Sequence, residues 1–368
     1  MKKSKSFAVL LSLLLAFSIT ACSNSSGGSS DDNSSTNKPF AGEGQGGGGN
    51  TGGNTGGNGG GGSSGTTTLP YTVLPVGTNG SAGESNNTTI TYVTFGSWPQ
   101  SLKAAAVTID TTAGTSTVNG WTVYTGSDGQ NYVLEGGNYY KVEPIKWRIL
   151  KNDYDHDRNS STATKKLLLA ENILMPMQYY DNQNNRTIGS ATVHANNYKH
   201  SKVRAYLNGY SYTKDSTTNN DYLNNGFINK AFTASELAAI ATDTVVDNSA
   251  ASTTDSGNNI TQVTAYACEN TTDSIFLLSE LEVTNTEYGF VSYNADGVNK
   301  RIRFPTDFAK NKGVHQSNTD GEGGFWRLRS PYGDDSFYAK VVIANGYPDS
   351  FNSVTDTEAG IVPALCLN

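Results

Sequence analysis

Cysteine and histidine are scarce in this 368-residue chain, which has three of the first and four of the second. That excludes a disulfide-dense scaffold and a zinc-ribbon array. Charged residues reach only 16% and apolar ones 36%, against about 25% and about 45–50% in ordinary soluble domains. Lys and Arg number 26 against 33 acids, a formal charge of −7, so no basic stripe suits nucleic acid. Beyond the first apolar run no second long one occurs, which excludes a polytopic membrane protein. The shortfall is uneven. Of the 40 glycines, 17 fall between Ser23 and Thr67, so the chain from Thr68 onward has ordinary glycine content and enough length for a sizeable core.

What is present starts at the N-terminus. Lys2, Lys3 and Lys5 precede an almost unbroken apolar run over residues 7–17, and Ile19-Thr20-Ala21-Cys22 follows. A short apolar core between a basic start and a small-residue site has the layout of a cleaved secretion signal. The cysteine directly after the small residue resembles a bacterial lipoprotein signal over residues 1–21, with Cys22 as the lipidated (palmitate-bearing) new N-terminus. Each buried acyl methylene contributes about 0.8 kcal/mol, so two or three chains anchor firmly. Loss of residues 1–21 removes three lysines and takes the charge from −7 to −10, so lipid rather than electrostatics must do the anchoring. This places the protein in a bacterial cell envelope, facing the surface or the periplasm. From Ser23 the chain reads SNSSGGSSDDNSSTNKPF and then turns to glycine and asparagine, so residues 22–67 have no apolar period to offset the entropy of ordering. They are expected to form a disordered tether rather than a phosphate-binding glycine loop, which needs a strand before it and a helix after it.

Residues 68–368 are expected to fold as a single α+β domain of many short strands and a few short helices. Alternating or β-branched runs predict strands near residues 89–95, 121–124, 132–134, 139–150 and 166–170, and later at 325–329, 337–344 and 361–367. Helices are predicted at 201–209, between a serine cap and Gly209; at 234–241, behind the Thr233/Glu236 capping box and a Phe232–Leu237 staple; and at 305–313, from proline to glycine. The polar stretches 210–225 and 246–261 are expected to be loops.

Seven blocks then occur in order: Phe95-Gly-Ser-Trp-Pro-Gln100, Glu143-Pro-Ile-Lys-Trp-Arg-Ile-Leu150, Ser201-Lys-Val-Arg-Ala-Tyr-Leu-Asn208, Ile275-Phe-Leu-Leu-Ser279, Pro305-Thr-Asp-Phe-Ala-Lys310, Trp326-Arg-Leu-Arg-Ser-Pro331 and Gly360-Ile-Val-Pro-Ala-Leu-Cys-Leu-Asn368. This pattern resembles an uncharacterised family of bacterial surface and secreted proteins, catalogued as a domain of unknown function, with FGSYPQ, IEWRVL, WWLRSP and GVRPALWLN blocks. The chain departs from it at Trp98 (usually Tyr), Arg327 (usually a second Trp) and Val362 (usually Arg). The resemblance implies a C-type-lectin-like fold of the formylglycine-generating-enzyme kind, which by itself does not set function.

Little in the sequence points to catalysis. With Cys22 lipidated, Cys268 and Cys366 remain; in an exported protein the expected arrangement is a structural disulfide between them, with buried free thiols as the alternative. His156, His194, His200 and His315 lie in polar surroundings and read as solvated. Glu280/Glu282 or Asp334-Asp335 would be the carboxylate pairs of a glycosidase. Asp153-Tyr-Asp155-His-Asp157-Arg-Asn159 has alternating oxygen ligands, but Arg158 and Thr164 stand where a calcium loop needs Gly and Glu, so a polar turn is expected and no metal or other cofactor. The richest stretch is residues 332–356, YGDDSFYAKVVIANGYPDSFNSVTD, whose Tyr, Phe, Asp, Ser and Asn form a paratope-like alphabet. The expectation is a non-catalytic, lipid-anchored binding protein that meets a glycan or protein ligand through Tyr332, Asp334, Asp335, Phe337, Tyr347, Asp349, Phe351 and Asn352. A retroelement-diversified receptor is one form of this reading. An enzyme on cell-surface polysaccharide or peptide, a structural envelope lipoprotein, and a plain polar hairpin remain the alternatives. The anchor yields the first prediction: Cys22→Ala moves the protein from the membrane pellet to the soluble fraction and abolishes metabolic palmitate labelling.

Overall fold

The alternating apolar run after Ile90 builds β1 (Tyr92–Leu102), which buries Tyr92, Val93, Phe95 and Trp98. The computed structural model describes residues 69–80, 90–155, 164–213, 219–253, 264–292, 298–348 and 350–368, all within one compact unit, Thr66–Asn368. The expected signal segment, Cys22, the tether and the calcium-like turn beyond Asp155 lie outside the described residues. After β1 come β2 (Trp121–Thr125), β3 (Asn131–Glu135) and β4 (Asn138–Tyr154). β4, 17 residues long, is the spine of a nine-stranded sheet. One edge takes β1; the other takes β3 with its first half and β5 (Lys165–Ala170) with its second. Trp147 on β4 donates its indole N–H to the Phe95 carbonyl at 2.7 Å, and Trp98 donates to Leu174 at 3.2 Å. Both large rings are thereby buried without an orphaned donor. Trp98 makes edge contacts with Trp121 and Phe308, so the departure from the usual Tyr fills an aromatic nest.

Among the described residues, short helices follow the expected caps only in part. α1 (Lys202–Asn208) starts where the Ser201 hydroxyl accepts the Arg204 N–H and ends at Gly209, which is left-handed at φ 67°. α2 (Phe227–Ala231) was not anticipated, and within the expected 210–225 loop Ser211–Thr213 pairs with Asn219–Asp221 as a short hairpin. α3 (Ala234–Leu237) has the expected Thr233/Glu236 capping box but stops four residues early. Tertiary pairing ends it: Ile240 bridges to Leu367 and the Ala241 N–H donates to Cys366 O at 2.8 Å. α4 (Glu280–Val283) is capped by Ser279 and Glu282 and was not anticipated. α5 (Asp307–Asn311) is capped by Thr306, with Pro305 outside it.

Further strands of the two main sheets are β6 (Met175–Pro176), β7 (Ile275–Phe276), β8 (Trp326–Pro331), β9 (Tyr338–Val342), β10 (Ser350–Ser353), β11 (Gly360–Ile361) and β12 (Ala364–Leu367), beside short pairs such as Ser211–Thr213 with Asn219–Asp221. β10, β9, β8, β11 and β6 form a second, five-stranded sheet in that order, while β12 enters the large sheet between β7 and β5. The segment expected as one strand over 361–367 is therefore two strands in two sheets. Pro363 marks the crossing: it has no N–H for a ladder, and its carbonyl accepts from Ala170 at 2.9 Å. At the end of α1, Asn208 substitutes for a neighbouring strand. Its side-chain oxygen accepts from Ser274 and Ile275, both at 3.0 Å, and its amide donates to Ile275 O at 2.7 Å.

The expected disulfide is not formed; both thiols are free. Cys366 is fixed inside β12, where burial pushes its thiol up to about 12 despite the opposing effect of the neighbouring Thr244 hydroxyl. Cys268 lies half-buried elsewhere, against the backbone of Lys199 and Tyr198, with its thiol also raised by burial. Each is held by its own surroundings.

Gly96 joins the two halves of the large sheet's covering layer. It sits at φ 67° where the β1–β4 register shifts, and its N–H donates to Glu236 Oε1 at 2.9 Å, the same carboxylate that caps α3. A Cβ there would meet the Phe232 ring at 2.5 Å and Ala231 O at 2.8 Å. Gly96→Ala is expected to destabilise the domain by at least about 2 kcal/mol, from left-handed strain plus overpacking. Urea denaturation of the variant beside the parent chain measures it.

Candidate ligand-binding face

β8, with the sequence WRLRSP, is buried along its whole length and carries three anchors for what lies above it. Arg327, where the family pattern has Trp, donates Nε to Met177 O at 2.8 Å and Nη2 to Asp356 O at 2.8 Å and Ser353 O at 3.1 Å. A guanidinium can tie three carbonyls together where an indole has one donor, so this departure fastens the turn after β10. Burial lowers the Arg327 guanidinium from its ordinary value, and Asp356 pulls the other way. Arg329 reaches down to Asp247 O and Leu277 O and pairs with Glu282; burial lowers the guanidinium, but the Glu282 charge and hydrogen bond, with Tyr154 and Tyr198, together hold it above its ordinary value. Ser330 accepts the N–H of Glu280 at 2.9 Å. Val362, where an arginine is usual, is fully buried in the core.

β9 continues the construction. Tyr338 and Lys340 are two residues apart and share a face, and Phe351 on β10 lies directly opposite Lys340. Lys340 Nζ pairs with Glu280 Oε1 at 3.0 Å, with side chains 2% and 0% exposed. The same ammonium lies 5.8 Å from the Tyr332 ring centroid, within cation–π range. Above it three rings meet. Tyr332 stacks on Phe351 at 4.1 Å, Tyr338 meets Phe351 at 4.9 Å, and Tyr332 and Tyr338 are edge to face at 6.1 Å. Phe351 is 46% exposed and Phe337 39%. The loop between β8 and β9 is held from beneath by buried Asn196, whose amide donates to Tyr338 O at 2.9 Å and Asp335 O at 3.2 Å. Within the loop the Tyr332 hydroxyl donates to Asp334 at 3.1 Å, and Asp335 accepts the Phe337 N–H at 2.9 Å.

The eight expected ligand-binding residues are therefore separated. Tyr332, Asp334, Asp335, Phe337 and Phe351 belong to one face or its supporting loop. Asn352 is next to Phe351 on the strand and lies on the opposite side of the sheet, facing Ala339. Tyr347 lies beyond the far end of β9, half-buried beside Arg301, and Asp349 lies outside the described residues. Tyr338, Lys340 and Asn196 escaped the sequence reading. For Tyr338 the signal was available: counted from Lys340, the period of two puts Tyr338 rather than Phe337 on the shared face.

The carboxylate pair Glu280/Glu282 is committed to Lys340 and Arg329. Glu282 also accepts from the Ser279 N–H at 2.8 Å and the Tyr154 hydroxyl at 3.2 Å. The cavity at Glu282, lined also by Asp247, Tyr288 and Arg329, has about 20 Å³, space for a single water rather than a sugar. Among the described residues no three His, Cys, Asp or Glu side chains group as metal ligands.

The domain of unknown function DUF6273 matches residues 163–368, a span that holds α1 to α5 and all of the small sheet. No curated protein and no solved structure matches the chain.

The Lys340–Glu280 pair yields a stability prediction. Glu280→Gln or Lys340→Met alone is expected to cost about 3–5 kcal/mol, because each strands a buried charge. The double variant Glu280→Gln/Lys340→Met is expected to recover most of that loss. A double-variant cycle by chemical denaturation measures the coupling.

Proposed function

Since this chain belongs to the family of the DUF6273 domain, whose function is unknown, we propose its role from its surface: it is a non-catalytic, lipid-anchored binding protein of the bacterial envelope, recognising a glycan or protein ligand. The observation that carries this is the cluster of Tyr332, Tyr338 and Phe351, three rings in mutual contact with Phe351 nearly half exposed. Buried apolar rings stabilise a fold; rings held open to water at a sheet edge, over an ion pair that locks their strand, serve contact. Asp334 and Asp335 at the rim add hydrogen-bond acceptors, and the backbone is fastened by Asn196 and Arg327, so little ordering entropy opposes binding. The fold in this proposal is C-type-lectin-like, with the small sheet and its loops as the ligand-facing end. Cys22 supplies the anchor, and the segment to Thr67 supplies reach away from the bilayer. Among the described residues no helix is long and apolar enough to cross a membrane.

An array of glycans and surface proteins, probed with the parent chain and with Tyr332→Ala/Phe351→Ala, tests this. The double variant is expected to lose about tenfold or more in affinity, as for central contact residues, while Tyr347→Ala stays within about twofold. Equal binding by parent and double variant places the contact elsewhere. Absence of any hit favours a structural envelope protein.

A further inference from the structure

A second surface feature lies on the segment that also carries Asn196. Lys199, His200 and Ser201, with Arg204, Tyr210, Ser211 and Tyr212, line an open cavity of about 320 Å³, at the lower end of the roughly 300–1,000 Å³ of small-ligand sites. The chain is acidic overall, yet among the described residues lining this cavity there are three basic side chains and no carboxylate. Two of the positive charges are partnered from outside the cavity. Arg204 is bound by fully buried Asp273, at 2.8 and 3.0 Å from Nε and 2.7 Å from Nη2. Lys199 pairs with Glu269, which is 80% exposed; such a surface pair contributes about 0–1 kcal/mol and exchanges readily for another anion.

An independent observation gives the cavity its sign. Arg186, 8% exposed, donates Nη2 to the His200 carbonyl and lies 3.9 Å from the Tyr180 ring and 5.8 Å from the ring of Tyr212 in the cavity wall. Its Nε and Nη1 are buried without a hydrogen-bond partner. Asp181 also acts on Tyr212 but is itself paired with Lys202, and in a poorly polarisable interior the field of the guanidinium reaches neighbouring groups. His200 registers it: burial first, then Arg186, Lys199 and Arg204, hold its imidazole below the ordinary value, with only Glu269 opposing. Three carboxylates act on this wall, Asp181, Asp273 and Glu269, and each pairs with a cation, Lys202, Arg204 and Lys199 in turn, which leaves Arg186 as the wall's buried cation with two unbonded nitrogens. Tyr210, 37% exposed, adds a phenol at the rim, 5.2 Å from Arg204 by its ring centroid.

We propose that this cavity binds the carboxylate of an acidic sugar, a uronic acid unit, with the Lys199 ammonium and the Tyr210 hydroxyl making contact and Arg186 supplying the charge behind them. This rests on the reading of the Tyr332 face as a ligand-contact surface. Asn196 supports the loop of that face and His200 borders the cavity, so four residues of chain connect the two. A polymeric acidic glycan has the chemistry for both, with apolar ring faces for the aromatic cluster and a carboxylate for the cavity.

Calorimetric titration of the full chain in detergent at low salt, with free glucuronate and with polygalacturonate, tests the assignment. Both are expected to bind, with affinity falling as salt rises. Methyl esterification of the polymer or Lys199→Glu is expected to weaken polymer binding by about tenfold or more. Lys199→Met is the milder variant should the charge reversal impair folding. Tyr332→Ala/Phe351→Ala is expected to weaken the polymer and leave free glucuronate unchanged. Polymer binding indifferent to Lys199 and to esterification overturns the cavity assignment while the aromatic face stands. Glucuronate binding that Lys199→Glu abolishes, with polymer binding untouched by the aromatic variant, upholds the cavity and overturns the reading of the face. Inorganic phosphate that displaces glucuronate with equal affinity overturns the assignment to a sugar acid, leaving a bare anion site.

Discussion

Helix α4 is only four residues long, yet it carries two carboxylates into the interior, and each takes its cation from a different strand. Glu282 is matched by Arg329 on β8 and Glu280 by Lys340 on β9. Removing such ions from water costs several kcal/mol each, recovered only when the pair geometry is good and the remaining polar atoms are bonded. Here the Ser330 hydroxyl, the Ser279 N–H, the Tyr154 hydroxyl and the carbonyls of Leu277 and Asp247 complete the set. The small sheet consequently has one permitted register. A slip of one residue along β9 would turn Lys340 to the other face and leave Glu280 buried without its cation. The ring cluster of Tyr332, Tyr338 and Phe351 inherits its position from that constraint.

The surface built on this frame has an unusual division of charge. The chain as a whole is acidic, while the stretch from Arg186 to Arg204 carries cations and no carboxylate, and its Lys199, His200 and Arg204 line the cavity. Asn196 and His200 lie on the same short segment, so whatever orders that segment orders both features. The Arg204–Asp273 pair and the Ser201 cap hold the start of α1 in place, which keeps the cavity wall fixed without a contribution from any ligand.

Much of the architecture was legible because local physics and tertiary context agree. The long strand at Glu143-Pro-Ile-Lys-Trp-Arg-Ile-Leu150, the helix between Ser201 and Gly209 and the capping box at Thr233 all form where propensity and capping place them. The failures have identifiable causes. The helix after Thr233 stops early because Ile240 and Ala241 find strand partners on β12. The last strand divides because Pro363 cannot continue a ladder. Cys268 and Cys366 were paired on grounds of compartment alone, whereas a disulfide requires two thiols that the fold brings face to face.

For the candidate site the division is similar. Its residue types were visible as an alphabet of aromatics and acids between the LRSP turn and the C-terminal strand, and the alternating runs made the short-strand character of the domain legible. Which of those aromatics converge was not visible, because a strand's two faces differ by a single residue: Tyr338 joins Phe351 while Asn352 is turned away. Nor could local sequence show that Glu280 and Glu282, spaced like a catalytic pair, would each be neutralised by a cation 47 or more positions further on. Spacing along a chain determines which side chains share a strand face or a helix turn. Only the packed structure decides which charges meet, since burial makes an unpaired ion too costly and that cost selects partners without regard to sequence distance.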